Sequence, residues 1–190
     1  MICYANKKNI SKSNGNSGQH IYGSRSIANM KKEEALLKPM LSNRNNENSY
    51  WYIGHLMSLL LTSKETGGRY ALLRATECEG LEPPPHTHTR EEETFLILEG
   101  EVIYTVGNKT YNAKQGDLMF LPKNIQHSFK IQTEKLETLI LLTPGGLENY
   151  FVEMSKPAEE VALPPMPQGP PDIKKLIATA SKYCVKFPKL

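Results

Sequence analysis

The stretch Gly80-Leu81-Glu82-Pro83-Pro84-Pro85-His86-Thr87-His88-Thr89-Arg90-Glu91-Glu92-Glu93-Thr94-Phe95-Leu96-Ile97-Leu98-Glu99-Gly100 decides how this chain folds. Its two histidines stand two residues apart, a spacing that on a β-strand turns both imidazoles to the same side. Glu93 opens a strand-like run and Gly100 turns that run back as a hairpin. Two adjacent antiparallel strands therefore present two imidazoles and a carboxylate from rigid backbone, as a bound metal requires. A further donor lies downstream in Gly116-Asp117-Leu118-Met119-Phe120-Leu121-Pro122-Lys123-Asn124-Ile125-Gln126-His127, where a tight turn feeds a strand that begins with His127. Three imidazoles and one carboxylate suit a single divalent transition metal per chain, Fe, Mn, Ni, Cu or Zn.

Around this centre, residues 50–143 alternate short β-branched, aromatic and aliphatic runs with turn signals, the pattern of an all-β barrel or sandwich. Strands are expected at Trp51–Leu61, Arg69–Glu77, Thr94–Leu98, Glu101–Val106, Lys109–Ala113, Leu118–Leu121, His127–Gln132 and Glu137–Thr143. Gly67-Gly68, Glu99-Gly100, Gly107-Asn108, Gln115-Gly116-Asp117 and Pro122-Lys123-Asn124 supply the turns. A short helix is expected over Leu147–Ser155, then a linker with six prolines. Asp172 is the expected N-cap of a last helix carrying Ile173, Leu176, Ile177, Ala180 and Cys184 at helical spacing. That helix is expected to dock on the outside of the barrel or on a partner subunit.

A length of 190 residues accommodates one domain with extensions. The expected division is a weakly structured extension over 1–40, a barrel over 41–156, and a proline-rich linker with a helix over 157–190. Residues 1–40 hold seven basic side chains against two acidic ones, so the overall charge of +3 belongs to this extension. No basic, aromatic-interleaved face is left in the remainder, which argues against nucleic acid as a partner. Met30 is a candidate physiological start, because a segment with helical spacing (Ala35, Leu36, Leu37, Met40) follows it. Cys3, Cys78 and Cys184 are an odd number at wide spacing, which indicates neither a disulfide framework nor a thiolate metal site. With no secretory or membrane-spanning apolar run, the chain is expected to be soluble and cytoplasmic.

Taken singly, each histidine is more often a packing or surface residue than a ligand, and the run Glu91-Glu92-Glu93 is of a kind usually solvated. The motif changes that reading. The two strings resemble the paired motifs of the cupin superfamily. The first matches without departure: Gly80, five residues, His86-x-His88, four residues, Glu93, six residues, Gly100. A chance match of those five positions anywhere in the chain is on the order of one in ten thousand. The second departs twice, with Asn124 where the family usually has Gly and Ile131 where it often has Asn. Asn tolerates the left-handed backbone nearly as well as Gly, so the turn is expected to survive. Further similarity, in Gly54, Thr66-Gly67-Gly68, Pro84-Pro85-His86 and Leu142-Thr143-Pro144-Gly145-Gly146-Leu147-Glu148, is to single-barrel cupins related to quercetin 2,3-dioxygenases.

The resemblance implies a cupin, jelly-roll type β-barrel with short C-terminal helices, and it carries over His86, His88, Glu93 and His127 as metal ligands. Alternation turns Phe95 and Ile97 inward from Glu93, and Phe129 and Ile131 inward from His127. They are barrel core first; around a cavity they become a substrate-binding wall suited to a planar organic molecule. His55 is expected to be a strand residue making a local polar contact, and His20 to have no role. By resemblance the function expected is a metal-dependent dioxygenase that acts on a phenolic or enediol small molecule with O2, with the catalytic Glu93 or a metal-bound hydroxide as the proton acceptor. The alternatives are a non-catalytic small-molecule sensor, or a sugar isomerase or epimerase. A shared site does not fix the reaction. The apolar content of Trp51–Leu61 exceeds what one inward face can use, so a homodimer through that region is expected.

Overall fold

The computed structural model describes residues 37–188. Most of the expected extension, the Met30 start, Cys3 and His20 fall outside that range, and residues 37–40 form no helix. Twelve strands follow: β1 (Ser49–Tyr52), β2 (His55–Leu61), β3 (Ala71–Cys78), β4 (Thr87–His88), β5 (Glu92–Glu99), β6 (Glu101–Val106), β7 (Lys109–Lys114), β8 (Leu118–Leu121), β9 (His127–Ile131), β10 (Lys135–Thr143), β11 (Lys156–Pro157) and β12 (Val185–Lys186). Three short α-helices join them: α1 (Ser63–Thr66), α2 (Glu148–Met154) and α3 (Ile173–Lys182).

The strands form a seven-stranded sheet in the order β11-β1-β2-β3-β10-β5-β8, a three-stranded sheet β7-β6-β9, and the pair β12-β4. The two larger sheets share one core. Leu73, Ala75, Phe95, Ile97, Leu136 and Ile140 of the first pack with Val102, Tyr104, Ala113 and Ile131 of the second. The strict burial alternation of β3, β5 and β10 is the period-2 pattern of strands with one face inward. Antiparallel strands in two packed layers around one core agree with the expected all-β, jelly-roll type barrel. Among the described residues no helix is long and apolar enough to cross a membrane.

One expected strand, Trp51–Leu61, is two. Ile53 and Gly54 both have positive φ, at 46° and 84°, and make a two-residue hairpin that pairs Tyr52 with His55. Ile is a poor residue for that conformation, so the sequence carries no ordinary hairpin signal there. A Cβ at position 54 would also approach Leu81 Cδ1 to 2.3 Å, so the Leu81 side chain would have to move. The apolar surplus of this segment is also covered differently from the expectation. Leu56 and Trp51 pack against Ala158 and the half-buried Leu163 of the proline-rich linker, and Trp51 Nε1 donates to Ala162 O at 2.8 Å. The chain thus buries much of this surface itself.

Asp172 caps α3, its Oδ1 accepting from Lys175 N at 3.0 Å. Leu176 and Ala180 are buried, whereas Ile173 and Ile177 are exposed at 39% and 40%. Cys184 is not in the helix; it lies past its end with φ 61° and turns the chain back into β12. The helix packs beside α2, against the same chain's barrel.

Candidate metal centre

His88 lies on β4, Glu93 on β5 and His127 at the start of β9. His86 joins this set through an isolated bridge to His127, formed by two backbone hydrogen bonds of 3.0 and 2.9 Å. Asn124 has φ 65° in the turn before β9, the left-handed conformation expected of it, and its N–H donates to His88 O at 2.7 Å. The turn before β9 is therefore tied directly to the strand that carries His88.

The four side chains converge. One donor atom from each lies within 4.8 Å of all the others. Glu93 Oε2 is 3.6 Å from His88 Nε2 and 3.4 Å from His127 Nε2. The His88 and His127 rings stack at 5.2 Å and 6°, and His86 meets both edge-on. His86 Nδ1 contacts Pro84 O at 2.9 Å, and His127 Nδ1 contacts Ile125 O at 3.2 Å. A carbonyl only accepts, so Nδ1 carries the proton in both rings and the Nε2 lone pair is left for another partner.

Burial makes this arrangement costly without a ligand. His86, His88, Glu93 and His127 are 9%, 4%, 5% and 3% exposed, and both ring nitrogens of His88 and Nε2 of His127 have no hydrogen-bond partner. Buried polar atoms are almost always satisfied. A divalent cation accepting three imidazole lone pairs and a carboxylate oxygen would satisfy them together, so the residues fit a transition metal. Burial lowers the pKa of His86 to about 4, with His88 adding to the effect, and lowers that of His88. Both rings are therefore neutral and ligand-ready at pH 7. Burial alone would raise Glu93, but His88, His127 and His86 outweigh it and hold the carboxyl down at about 2.

The other histidine of the described residues is structural, as expected: His55 Nε2 contacts Leu81 O at 2.9 Å while Nδ1 accepts from Cys78 N at 3.2 Å. Glu91 differs from the solvated charge its neighbours suggest. It is 1% exposed and paired with Arg90 at 2.7 Å. Phe95, Ile97 and Ile131 are buried, Phe129 is half-buried, and Phe95 and Phe129 flank the Tyr104 ring at 5.6 and 6.0 Å.

Sequence reasoning missed two features. The first is the C-terminus: β12 pairs with β4, Val185 opposite His88, and the Phe187 ring lies 5.8 Å from His86. A two-residue strand carries no periodicity by which to find it. The second is Glu77, 6% exposed on the barrel-facing side of β3. Here a signal existed, since Ala71, Leu73, Ala75 and Glu77 fall on one face and an acid interrupts an otherwise apolar series.

The cupin domain family matches residues 77–143, the span that holds both motifs. By sequence the chain is 26% identical over 114 residues to quercetin 2,3-dioxygenase of Bacillus subtilis, covering 60% of this chain and 34% of that protein. It is 26% identical over 117 residues to quercetin 2,3-dioxygenase of Aspergillus japonicus, covering 58% and 33%. The chain thus spans about a third of the length of these curated relatives. Similar solved structures include KdgF from Halomonas sp., at TM-score 0.52 and 12% identity, covering 59% of this chain and 99% of that one. Another is a predicted oxalate decarboxylase from Thermotoga maritima, at TM-score 0.50 and 23% identity, covering 55% and 99%. At these identities the structures speak for the fold. Residues 77–143 thus resemble the cupin domain, and about 60% of the chain is similar to quercetin 2,3-dioxygenases.

Proposed function

We propose that the protein is a metal-dependent dioxygenase for a phenolic or enediol small molecule, with His86, His88, Glu93 and His127 holding one transition-metal ion. The observation that supports this most is the buried three-histidine, one-carboxylate cluster with unpartnered imidazole nitrogens; the choice of reaction leans on the likeness to quercetin 2,3-dioxygenases. A bound metal supplies Lewis acidity that lowers the pKa of a substrate hydroxyl and brings substrate and O2 together.

The chain's own residues do the rest. Glu93 is ionised at neutral pH and takes up the hydroxyl proton at a carboxylate oxygen. His86 and His127 stay oriented by their Nδ1 contacts. Phe95, Ile97, Phe129 and Ile131 form an apolar wall that accepts a planar ring and excludes water. A homodimer and a cytoplasmic location belong to the same proposal, the half-buried Leu60 and Leu61 at the end of β2 being available to a second copy. Oxygen uptake by metal-loaded protein across flavonols, catechols and small diketones tests the activity. Uptake with at least one phenolic or enediol class is expected; no uptake with Fe, Mn, Ni or Cu would leave the sensor reading.

A further inference from the structure

The outward face of the larger sheet carries an apolar belt that the metal centre does not use. Across β2, β3, β10, β5 and β8 the register aligns Leu61, Leu72, Leu141, Thr94 and Phe120 in one row. The next row, two residues along each strand, holds Arg74, Leu139, Leu96 and Leu118. Their chain neighbours Leu73, Ile140, Phe95 and Leu121 lie in the core, so alternation turns both rows away from it. A solvated face of an antiparallel sheet is ordinarily polar, yet seven of these nine positions are apolar.

Both ends of the belt protrude. On β8, Leu118 and Phe120 are 64% and 49% exposed. At the β2 end, Arg44 reaches across the same face to Ser58, Thr76 and Glu137 at 3.0, 2.7 and 2.7 Å. The stretch before it leaves Met40 and Leu41 exposed at 51% and 96%, beside an open groove of about 720 Å³ whose apolar lining includes Tyr50, Leu59 and Leu60. Exposed apolar side chains at both ends of a continuous strip are the mark of an interface, not of scattered surface leucines.

A second copy of this chain fits the belt on three counts. The two rows hold one charge, Arg74, and it pairs with Glu137 at 2.9 Å, so like faces meet without repulsion. Five strands ~4.8 Å apart and ~25 Å long give a face on the order of 500 Å²; with Met40, Leu41 and the groove added, it approaches the ~800 Å² per partner of a stable interface. A two-fold axis along the strands, in the plane between two facing sheets, carries β8 of each copy over the β2 end of the other. The protruding Leu118 and Phe120 then enter the partner's groove, and both grooves are filled at once.

We propose that this belt is the homodimer interface, two copies packing their larger sheets back to back with the β8 edge of each over the β2 end of the other. It deepens the homodimer reading, on which it rests: Leu60 and Leu61 become one end of a strip that runs to Phe120. On β5, Thr94 and Leu96 face the partner while Glu93 and Phe95 face inward, so the interface leaves the metal cluster uncovered.

Sedimentation velocity of the full chain at micromolar concentration tests it. The wild type is expected to be a dimer whose Tm rises with protein concentration. Leu118→Asp, Phe120→Asp and Leu41→Asp put a carboxylate into the interface but into water in the monomer, so each should weaken the dimer at least about a hundredfold with an unchanged circular dichroism spectrum. Ile177→Asp, exposed on α3 away from the belt, should leave the dimer intact. In a mixture of Leu41→Cys and Leu118→Cys chains, oxidation should form the mixed disulfide ahead of either like pair, as read by mass spectrometry of the linked peptides; this decides the matter if an Asp variant does not fold. A monomeric wild type overturns both the homodimer and the belt, with the metal-dependent activity untouched. A dimer indifferent to all three Asp variants, or weakened as much by Ile177→Asp, overturns the belt and leaves the homodimer standing. Like pairs forming ahead of the mixed disulfide overturn the placing of β8 over β2.

Discussion

His86 and His127 hold each other through their backbones: His86 N donates to His127 O at 3.0 Å and His127 N to His86 O at 2.9 Å. Two candidate ligands forty-one residues apart are thus registered by the β-bridge itself, independently of any ion. The metal-free protein is therefore expected to keep its strand content by circular dichroism, with a lower Tm that rises when metal is returned. Loss of the β signal on chelation would show that the ion, and not the bridge, organises the site.

His88 and Glu93 should separate binding from turnover. His88 presents a ring with no other partner, so His88→Ala is expected to weaken metal affinity at least about tenfold, comparable to or beyond the loss of a supporting residue. Glu93→Ala should retain more metal yet lose turnover, since it removes the proton acceptor. Elemental analysis and oxygen uptake on both variants check this; wild-type metal content and activity in both would show that neither is a ligand.

Glu77 gives a pH dependence with a definite sign. Burial first, with Glu93 and Glu82 adding to it, pushes its pKa from 4.5 up to about 8 in the metal-free protein. Between those values the unfolded chain has lost the proton that the folded chain keeps, so the wild type loses stability as pH rises from about 4.5 to 8 and levels off above. Glu77→Gln is free of this contribution. Its stability advantage should grow across that window by an amount on the order of a few kcal/mol, as read from urea unfolding at pH 5, 6, 7 and 8. Parallel curves for the two proteins would place Glu77 in contact with water.

How much of this was legible in the sequence depended on the reach of each signal. The convergence of the four side chains could be read because the spacing His86-x-His88 and the hairpin from Glu93 to Gly100 are local, and strand alternation converts such spacing directly into facing direction. Asn124 was readable for the same reason: its left-handed conformation is a property of one residue. The break at Ile53-Gly54 was not, since a β-branched residue at positive φ runs against local preference and is held there by pairing on both sides. The covering of Trp51 and Leu56 by residues 158–163 and the return of β12 to β4 are contacts about a hundred residues apart in sequence, which no period encodes. Glu77 was legible but passed over, because one acid in an alternating strand reads as an exception until its burial is seen.

Phe187 and β12 cover the cluster from the C-terminal side, with Thr89 N and Oγ1 both donating to Cys184 O at 2.9 Å. Phe187→Ala should therefore speed removal of metal by a chelator several-fold while leaving the equilibrium content near that of the wild type, because Phe187 contributes no ligand atom. Stopped-flow chelation measures the rate; an unchanged rate would mean that the ion leaves by another route.

The central assignment is one ion per chain, which the convergent side chains of His86, His88, Glu93 and His127 could hold. Elemental analysis of full-length protein purified without chelator, and again after loading with Fe, Mn, Ni or Zn, measures this directly. The expected result is close to one transition-metal ion per chain in the wild type and a clear deficit in His88→Ala. A wild-type protein that stays metal-free after every loading would contradict the assignment of His86, His88, Glu93 and His127 as a metal centre.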